Sequence, residues 1–260
     1  MANQPRYRLA RPESLASGQL LQLSGNEAHY ALNVLRLKAG DRIALFNPAQ
    51  GEFAAALVGR DKRTATFEIA EKLRAPENGT GLMVCFAPIK GGRLETIIEK
   101  ATELGADILQ PVLMQRSVVD KVNRTRAESI AREAAEQCER ISWPEIREPI
   151  KLLPLLGDWP THVPLIYGDE TGASAPLQQV LAQRSRERAE QPKNWAILIG
   201  PEGGFAPEEL AALRHVNTAQ GVSLGPRILR ADTAVITLAA ATLMAWGDWE
   251  RTPRFERTDA

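Results

Sequence analysis

Cysteine is nearly absent from this chain: Cys85 and Cys138 are the only two in 260 residues. They lie far apart and neither has His or Cys neighbours at metal-ligand spacing, so no disulfide, zinc site or other metal is expected, only two reduced core thiols. No run approaches the roughly 20 apolar residues of a membrane span. The opening MANQPRYRLARPE also lacks the apolar stretch of an export signal, so the expectation is a cytoplasmic protein with no membrane partner. Charge of one sign is not in excess, with 32 Lys and Arg against 32 Asp and Glu. That balance argues against indiscriminate binding to nucleic acid. Histidine is scarce, and His29, His162 and His215 fall in the front part, a loop and an amphipathic helix, so a histidine-based acid-base centre is not expected. Internal repeats and low-complexity tracts are missing as well.

What is present reads as globular. Hydrophobic residues make up 44% and charged residues 25% of the chain, enough for one core or for a large and a small one. The zero net charge hides an asymmetry: residues 1–75 hold 11 Lys and Arg against 7 Asp and Glu, and residues 76–260 hold 21 against 25, about +4 and −4. A basic front part suits a phosphate backbone, although scattered charges on a solvated barrel give the same count. From Arg6 to Leu73, short alternating runs broken at Gly40-Asp41 and Gln50-Gly51, with one helix at Asn26–Leu37, predict a small β-barrel. RAPENGTG (Arg74–Gly81) reads as a linker. Beyond it, the runs LMVCFAP, ADILQPVLM, REPIKLL, VPLIYGD, NWAILIG and GVSLG alternate with helical patterns, the last from about Thr233 to Trp246. That grammar predicts an α/β domain with a mostly parallel sheet and helices on both faces.

Three of these strands end in glycine. In WAILIGPEGGFAPEEL an apolar strand runs into Gly200-Pro201-Glu202-Gly203-Gly204, and a helix opens at Pro207 with Glu208 and Glu209 in its first turn. The loop therefore offers bare backbone at the carboxyl end of a strand. It lacks the GK[ST] of a phosphate-cradling P-loop and does not fit G-x-G-x-x-G, which weakens nucleoside triphosphate and dinucleotide ligands. In GVSLGPRILRADTAVITLAAATL a strand ends at Gly225, and a loop carries Pro226, Arg227, Arg230 and Asp232. The helix that follows is apolar on all sides, so it is buried in the domain or against a second subunit. Asp232 reads equally as an N-cap ahead of Thr233. VPLIYGDETG ends in Gly168. Adjacent strands would gather all three turns into one crevice, where open α/β sheets bind ligands.

LIGPEGGF together with SLGPRILRADTA, and earlier KGGRLETIIEKATELGADILQPVLMQRSVV and REAAEQCER, resemble the bacterial 16S ribosomal RNA uridine-N3 methyltransferases of the SPOUT class. HYALNVLRLKAGDRIALFN followed by GEF resembles their amino-terminal PUA-like barrel, so the likeness runs from about Arg6 to Trp246. The resemblance implies a PUA-like RNA-binding β-barrel at 1–74, a SPOUT trefoil-knot domain at 75–250 and a tail at 251–260; such a knot is an exception to the rule that chains do not thread their own loops. The implied cofactor is S-adenosyl-L-methionine, held largely by backbone groups of the knot loops. The matching positions are Leu165, Ile166 and Gly168 on the first loop, Ile199, Gly200, Glu202 and Gly203 on the second, and Leu224, Gly225, Ile228, Leu229 and Arg230 on the third. Also implied are a homodimer with its active site near the subunit boundary and a substrate uridine in the decoding region of 16S rRNA, within an assembled or nearly assembled small ribosomal subunit. Two positions depart from the family. Many relatives have an acidic residue where this chain has Gly91 or Gly92, and many have Glu where it has Asp232.

Methyl transfer from a sulfonium is an in-line displacement in a site that excludes water. Uracil N3 attacks only once its proton leaves, which calls for a base or for groups that stabilise charge developing on the uracil. Arg230 is expected in the second role, with Arg227 and Arg116 behind it, because arginine stays charged and offers a fork of donors to the flanking carbonyl oxygens. Glu202 and Asp232 are the candidate carboxylates; which lies near the sulfonium and which near N3 stays open, and Glu202 reads equally as a loop-structuring residue. RNA contact is expected from Arg6, Arg8, Arg11, Arg36, Lys38 and Arg42 as a group, with His29 and Tyr30 for stacking, and from Arg116 and Arg140. Packing of Ile141 and Trp143 explains the segment around Arg140 equally well. Two other functions stay open: a SPOUT methyltransferase acting on another RNA, such as a transfer RNA or a ribose hydroxyl, and a non-catalytic ribosome assembly factor. Bare glycine loops speak against the second.

Overall fold

A computed structural model describes residues 5, 7–187 and 192–251; Arg6 and the tail from 252 onward lie outside the described residues. The chain divides into two compact units, Met1–Asn78 with Arg132–Trp143, and Gly79–Ala131 with Pro144–Ala260.

The first unit carries β1 (Arg8–Ala10), β2 (Leu20–Ser24), α1 (Gly25–His29), a π-helical turn (Tyr30–Val34), β3 (Arg42–Asn47), β4 (Gly51–Arg60) and β5 (Thr64–Arg74). Its sheet runs β1-β3-β4-β5-β2, antiparallel except for the parallel β1–β3 pair, and among the described residues the end strands do not pair. Alternation places Leu21, Leu23, Phe67 and Ile69 in one core with Ile43, Leu45, Phe53 and Leu57. The central strands are buried on their second face too. Phe46 and Ala10 pack there against Ala135, Ile141 and Trp143, which explains why the segment Arg132–Trp143 belongs to this unit and not to the 75–250 domain read from sequence. The division also falls between Asn78 and Gly79, inside the linker rather than at 74/75.

The second unit carries β6 (Leu82–Phe86), α2 (Gly92–Leu104), β7 (Ile108–Leu113), the start of α3 (Arg124–Gln137), β8 (Glu145–Ile146), β9 (Ile150–Lys151), α4 (Leu152–Gly157), β10 (Leu165–Gly168), α5 (Leu177–Glu187), β11 (Trp195–Ile199), α6 (Pro207–His215), β12 (Ala219–Val222) and α7 (Ala231–Trp246). The sheet is parallel throughout, in the order β12-β10-β11-β6-β7-β8, with β9 also paired to β7. Ala196 and Leu198 face a core shared with Leu152 and Leu156 of α4 and Leu213 of α6. Their neighbours face the other way, where α7 packs on β11 and β6 and against α2. There Trp195 meets Trp246 edge to face at 6.0 Å. Among the described residues no helix is long and apolar enough to cross a membrane.

Several element boundaries differ from expectation. REPIKLL is a strand only at Ile150–Lys151; the leucines then form α4, because Leu152 and Leu156 reach the core from one helical face. Pro154 falls in the first turn of that helix, where a missing N–H costs little. The front helix widens into the π-helical turn and stops at Arg36, which takes a left-handed φ of 55°. The strand in GVSLG ends at Val222, so Leu224 and Gly225 are free to form a loop. α7 begins at Ala231, two residues early, which makes Arg230 its N-cap and places Asp232 in the first turn. Asp232 is therefore not the cap, although its carboxylate accepts the Thr233 N–H at 3.0 Å.

Candidate active site

The carboxyl ends of β10, β11 and β12 lie side by side, because these strands are neighbours in the sheet. Their three turns enclose one cavity of about 730 Å³, a volume suited to a small organic ligand. The first turn contributes Gly168, Asp169 and Glu170; the second Ile199, Gly200, Glu202, Gly204 and Phe205; the third Leu224, Gly225, Arg227, Ile228, Leu229 and Arg230. The lining is largely apolar with charge at the edge, and Ile228 stands 86% exposed on the third turn. Glycine leaves room where the turns crowd. At Gly168 a Cβ would come within 2.8 Å of the end of Ile199, and at Gly200 within 3.2 Å of the Phe205 ring. Gly204 has a φ of 69° and folds its N–H back to the Pro201 carbonyl at 2.9 Å. Phe205 in turn packs edge to face on Tyr167 at 6.0 Å.

The second turn is braced from outside. Glu209, buried in the first turn of α6, accepts the Ala206 N–H at 2.8 Å and, beyond the end of β7, the Gln115 N–H at 2.8 Å. The Arg116 guanidinium donates to the Gly203 carbonyl at 2.7 Å, and its stem lies 3.3 Å from where a Gly203 Cβ would be. Arg93 of α2 forms an ion pair with Glu202 at 3.2 Å. In the first turn, burial alone would raise the Asp169 carboxyl, but the hydroxyl of Ser174 at 2.6 Å and the Thr171 N–H at 2.9 Å hold it below its usual range.

Of the residues proposed for the cofactor from sequence, nine line this cavity and three do not. Leu165 and Ile166 are fully buried strand residues beneath it, and Gly203 turns its Cα toward Arg116 instead. Asp232 is likewise absent from the lining, whereas Arg227, Arg230 and Glu202 belong to it. Asp169, Glu170, Phe205, Arg93 and Glu209 were missed. The acidic pair straight after Gly168 was the available signal for the first two; the partners of Arg93 and Glu209 lie 109 and 94 residues away, which no local pattern carries.

The candidate RNA-contacting residues divide by burial. His29, Tyr30, Arg36 and Lys38 are exposed on the first unit. Arg8 and Arg11 are not available, which corrects the expectation. Arg8 is held by Glu52 at 2.6 Å and by the carbonyls of Ala135, Glu136 and Arg140, and Arg11 by both oxygens of Glu27 at 2.6 and 3.0 Å. Arg42 is paired with Glu71, and Arg140, half-buried, donates to Ser142 at 3.0 Å. Arg116 is engaged by Gly203, as above. Cys85 and Cys138 are not joined in a disulfide; burial pushes the Cys85 thiol up to about 12, so it is inert.

Loops from three adjacent parallel strands around one apolar cavity are the ligand crevice of an α/β enzyme. Residues 76–243 match the model of an RNA methyltransferase domain, and residues 23–70 that of an RNA methyltransferase PUA domain. The chain belongs to this RNA methyltransferase family, with a PUA-like first unit and a second unit of the SPOUT fold. It is 31% identical over 227 residues to the ribosomal RNA small subunit methyltransferase E of Rickettsia conorii, covering 87% of this chain and 90% of that one. With the same-named protein of Bacillus subtilis it shares 31% identity over 88% of this chain and 91% of the other. A crystal structure of a ribosomal RNA small subunit methyltransferase E from Neisseria gonorrhoeae, bound to S-adenosyl methionine, superposes with a TM-score of 0.79 at 28% identity, over 95% of this chain and 100% of that one.

Proposed function

We propose that this chain is a cytoplasmic methyltransferase that uses S-adenosylmethionine to modify N3 of a uridine in the 16S rRNA of the small ribosomal subunit. The observation that carries this reading is the meeting of three glycine-bearing turns at one cavity in a chain of the RNA methyltransferase family. The cavity suits the cofactor: its volume accepts a nucleoside with an amino-acid tail, its glycines leave backbone groups open to an adenine and a ribose, and its lining is largely apolar. When bound, the cofactor supplies an electrophilic methyl on a sulfonium. The rest is assigned to the protein. Backbone groups of Gly168, Ile199, Gly200, Leu224, Gly225 and Leu229 hold and orient the cofactor. Arg230, at the N-cap of α7 and on the cavity edge, stabilises negative charge on the uracil oxygens as the N3 proton leaves. Glu202 is assigned the proton, because it lines the cavity and Asp232 does not; Arg93 holds it in place.

RNA contact is assigned to the exposed His29, Tyr30, Arg36 and Lys38. Dimerisation is assigned to α7. One face of that helix buries Val235, Leu238, Leu243 and Trp246, and the other leaves Met244 69% exposed beside the partly exposed Ile236, Ala240 and Ala241. An apolar face of that kind suits a second copy of the chain. Mass mapping of small-subunit RNA from cells lacking the gene tests the function. Loss of one methyl from a uridine base, restored on complementation, is expected; an unchanged map would leave the family and remove the substrate.

A further inference from the structure

We propose that Glu170 is a cofactor-recognising residue whose carboxylate faces positive charge on the methyl donor. The proposal rests on the reading of the cavity as the S-adenosylmethionine site. Three carboxylates line that cavity, Asp169, Glu170 and Glu202. Two of them are taken up. Asp169 is 5% exposed and accepts the Ser174 hydroxyl and the Thr171 N–H, and Glu202 is paired with Arg93 at 3.2 Å. The Glu170 side chain has no partner among the described residues.

Glu170 is exposed at the mouth of the cavity, with its Oε1 over Gly204, which takes a φ of 69° and carries no side chain between the carboxylate and the second turn. Arg227 and Arg230 line the third turn, and neither is bonded to Glu170. A ligand that fills the cavity beside this exposed, unpaired carboxylate takes away part of its water, and a cation on the ligand offsets that loss. S-adenosylmethionine carries two, a sulfonium and an α-ammonium; its demethylated product, S-adenosylhomocysteine, keeps only the ammonium. A carboxylate that meets the sulfonium would favour donor over product and so help the spent cofactor to exchange.

Calorimetry on the full chain tests this with both compounds, on the wild type, Glu170→Gln and Glu208→Gln. Glutamine keeps the size of the Glu170 side chain, and Glu208, exposed on α6 outside the cavity, is the control for net charge. Glu170→Gln is expected to weaken S-adenosylmethionine binding roughly fivefold, as for a well-placed but solvent-accessible ion pair, and the difference should shrink as salt is raised. Weakening confined to S-adenosylmethionine assigns the sulfonium as the partner, and equal weakening of both compounds assigns the ammonium; either result upholds the role. Unchanged affinity for both compounds in Glu170→Gln, or an equal loss in Glu208→Gln, overturns it while leaving the cofactor reading intact. A wild-type chain that takes up no S-adenosylmethionine overturns the cofactor reading and this role together.

Discussion

At single residues, charge partners decide roles that the sequence pattern assigns differently. Glu52 is buried between Arg8 at 2.6 Å and Arg74 at 2.5 Å, and Arg8 also lies 4.2 Å over the Phe46 ring. Burial alone would raise the Glu52 carboxyl, but the hydrogen bond from Arg74 and the charge of Arg8 outweigh it and hold the group below its usual range. Arg8 looks like a free cation in YRLARPE because its partner stands 44 residues away; Arg11 pairs with Glu13 in the same segment, but its shorter bonds are to Glu27, 16 residues on. Glu52→Gln should cost roughly 3 kcal/mol, since it removes the buried carboxylate that the half-buried Arg8 and Arg74 share, leaving Arg74 its longer pair with Glu77. The sign with pH follows from the lowered folded value. The stabilisation is complete above the unfolded carboxyl value of about 4.3 and drains away as pH falls through the folded one. Urea denaturation between pH 7 and pH 3 checks both points: the wild type should lose stability on acidification more steeply than the variant, and parallel curves would remove Glu52 from the explanation.

Elements were legible wherever one pattern dominated. The glycines at or just beyond the ends of β10, β11 and β12, the apolar α7 and the proline start of α6 all follow from local sequence, and so does most of the cavity. Hidden were features set by a distant surface: α4 inside a leucine run that also fits a strand, and the brace between α6 and the end of β7. Glu209 shows why. Its capping contact to Ala206 is three residues away and readable, whereas its second contact, to Gln115, exists only because the sheet sets β7 one strand away from β11, with β6 between them. Glu209→Ala frees both amides, so it should lower stability by about 1–2 kcal/mol and weaken S-adenosylmethionine binding through a loosened second turn. Thermal unfolding and calorimetry check the two effects; a variant that melts early yet binds with wild-type affinity would show that the turn keeps its shape unaided.

On the scale of the molecule, alternation of strands and helices was enough to foresee a parallel α/β unit behind a smaller strand-rich one. It was not enough to place Arg132–Trp143, whose Ala135, Ile141 and Trp143 are recruited by the open face of Phe46 rather than by anything in their own pattern. The proposed dimer is likewise argued from the apolar α7. Met244→Glu would set a charge on its uncovered face, and sedimentation is expected to turn a dimer into a monomer with the fold retained; a wild type that is monomeric already would end that assignment. The most direct measurement concerns the cavity itself: transfer of a labelled methyl from S-adenosylmethionine to unmodified small ribosomal subunits, by the wild type and by Leu224→Trp, whose indole would occupy the space between the three turns. One labelled methyl at N3 of a single uridine with the wild type, and none with the filled cavity, is the expected result. Label on a ribose hydroxyl, or undiminished label from Leu224→Trp, would contradict it.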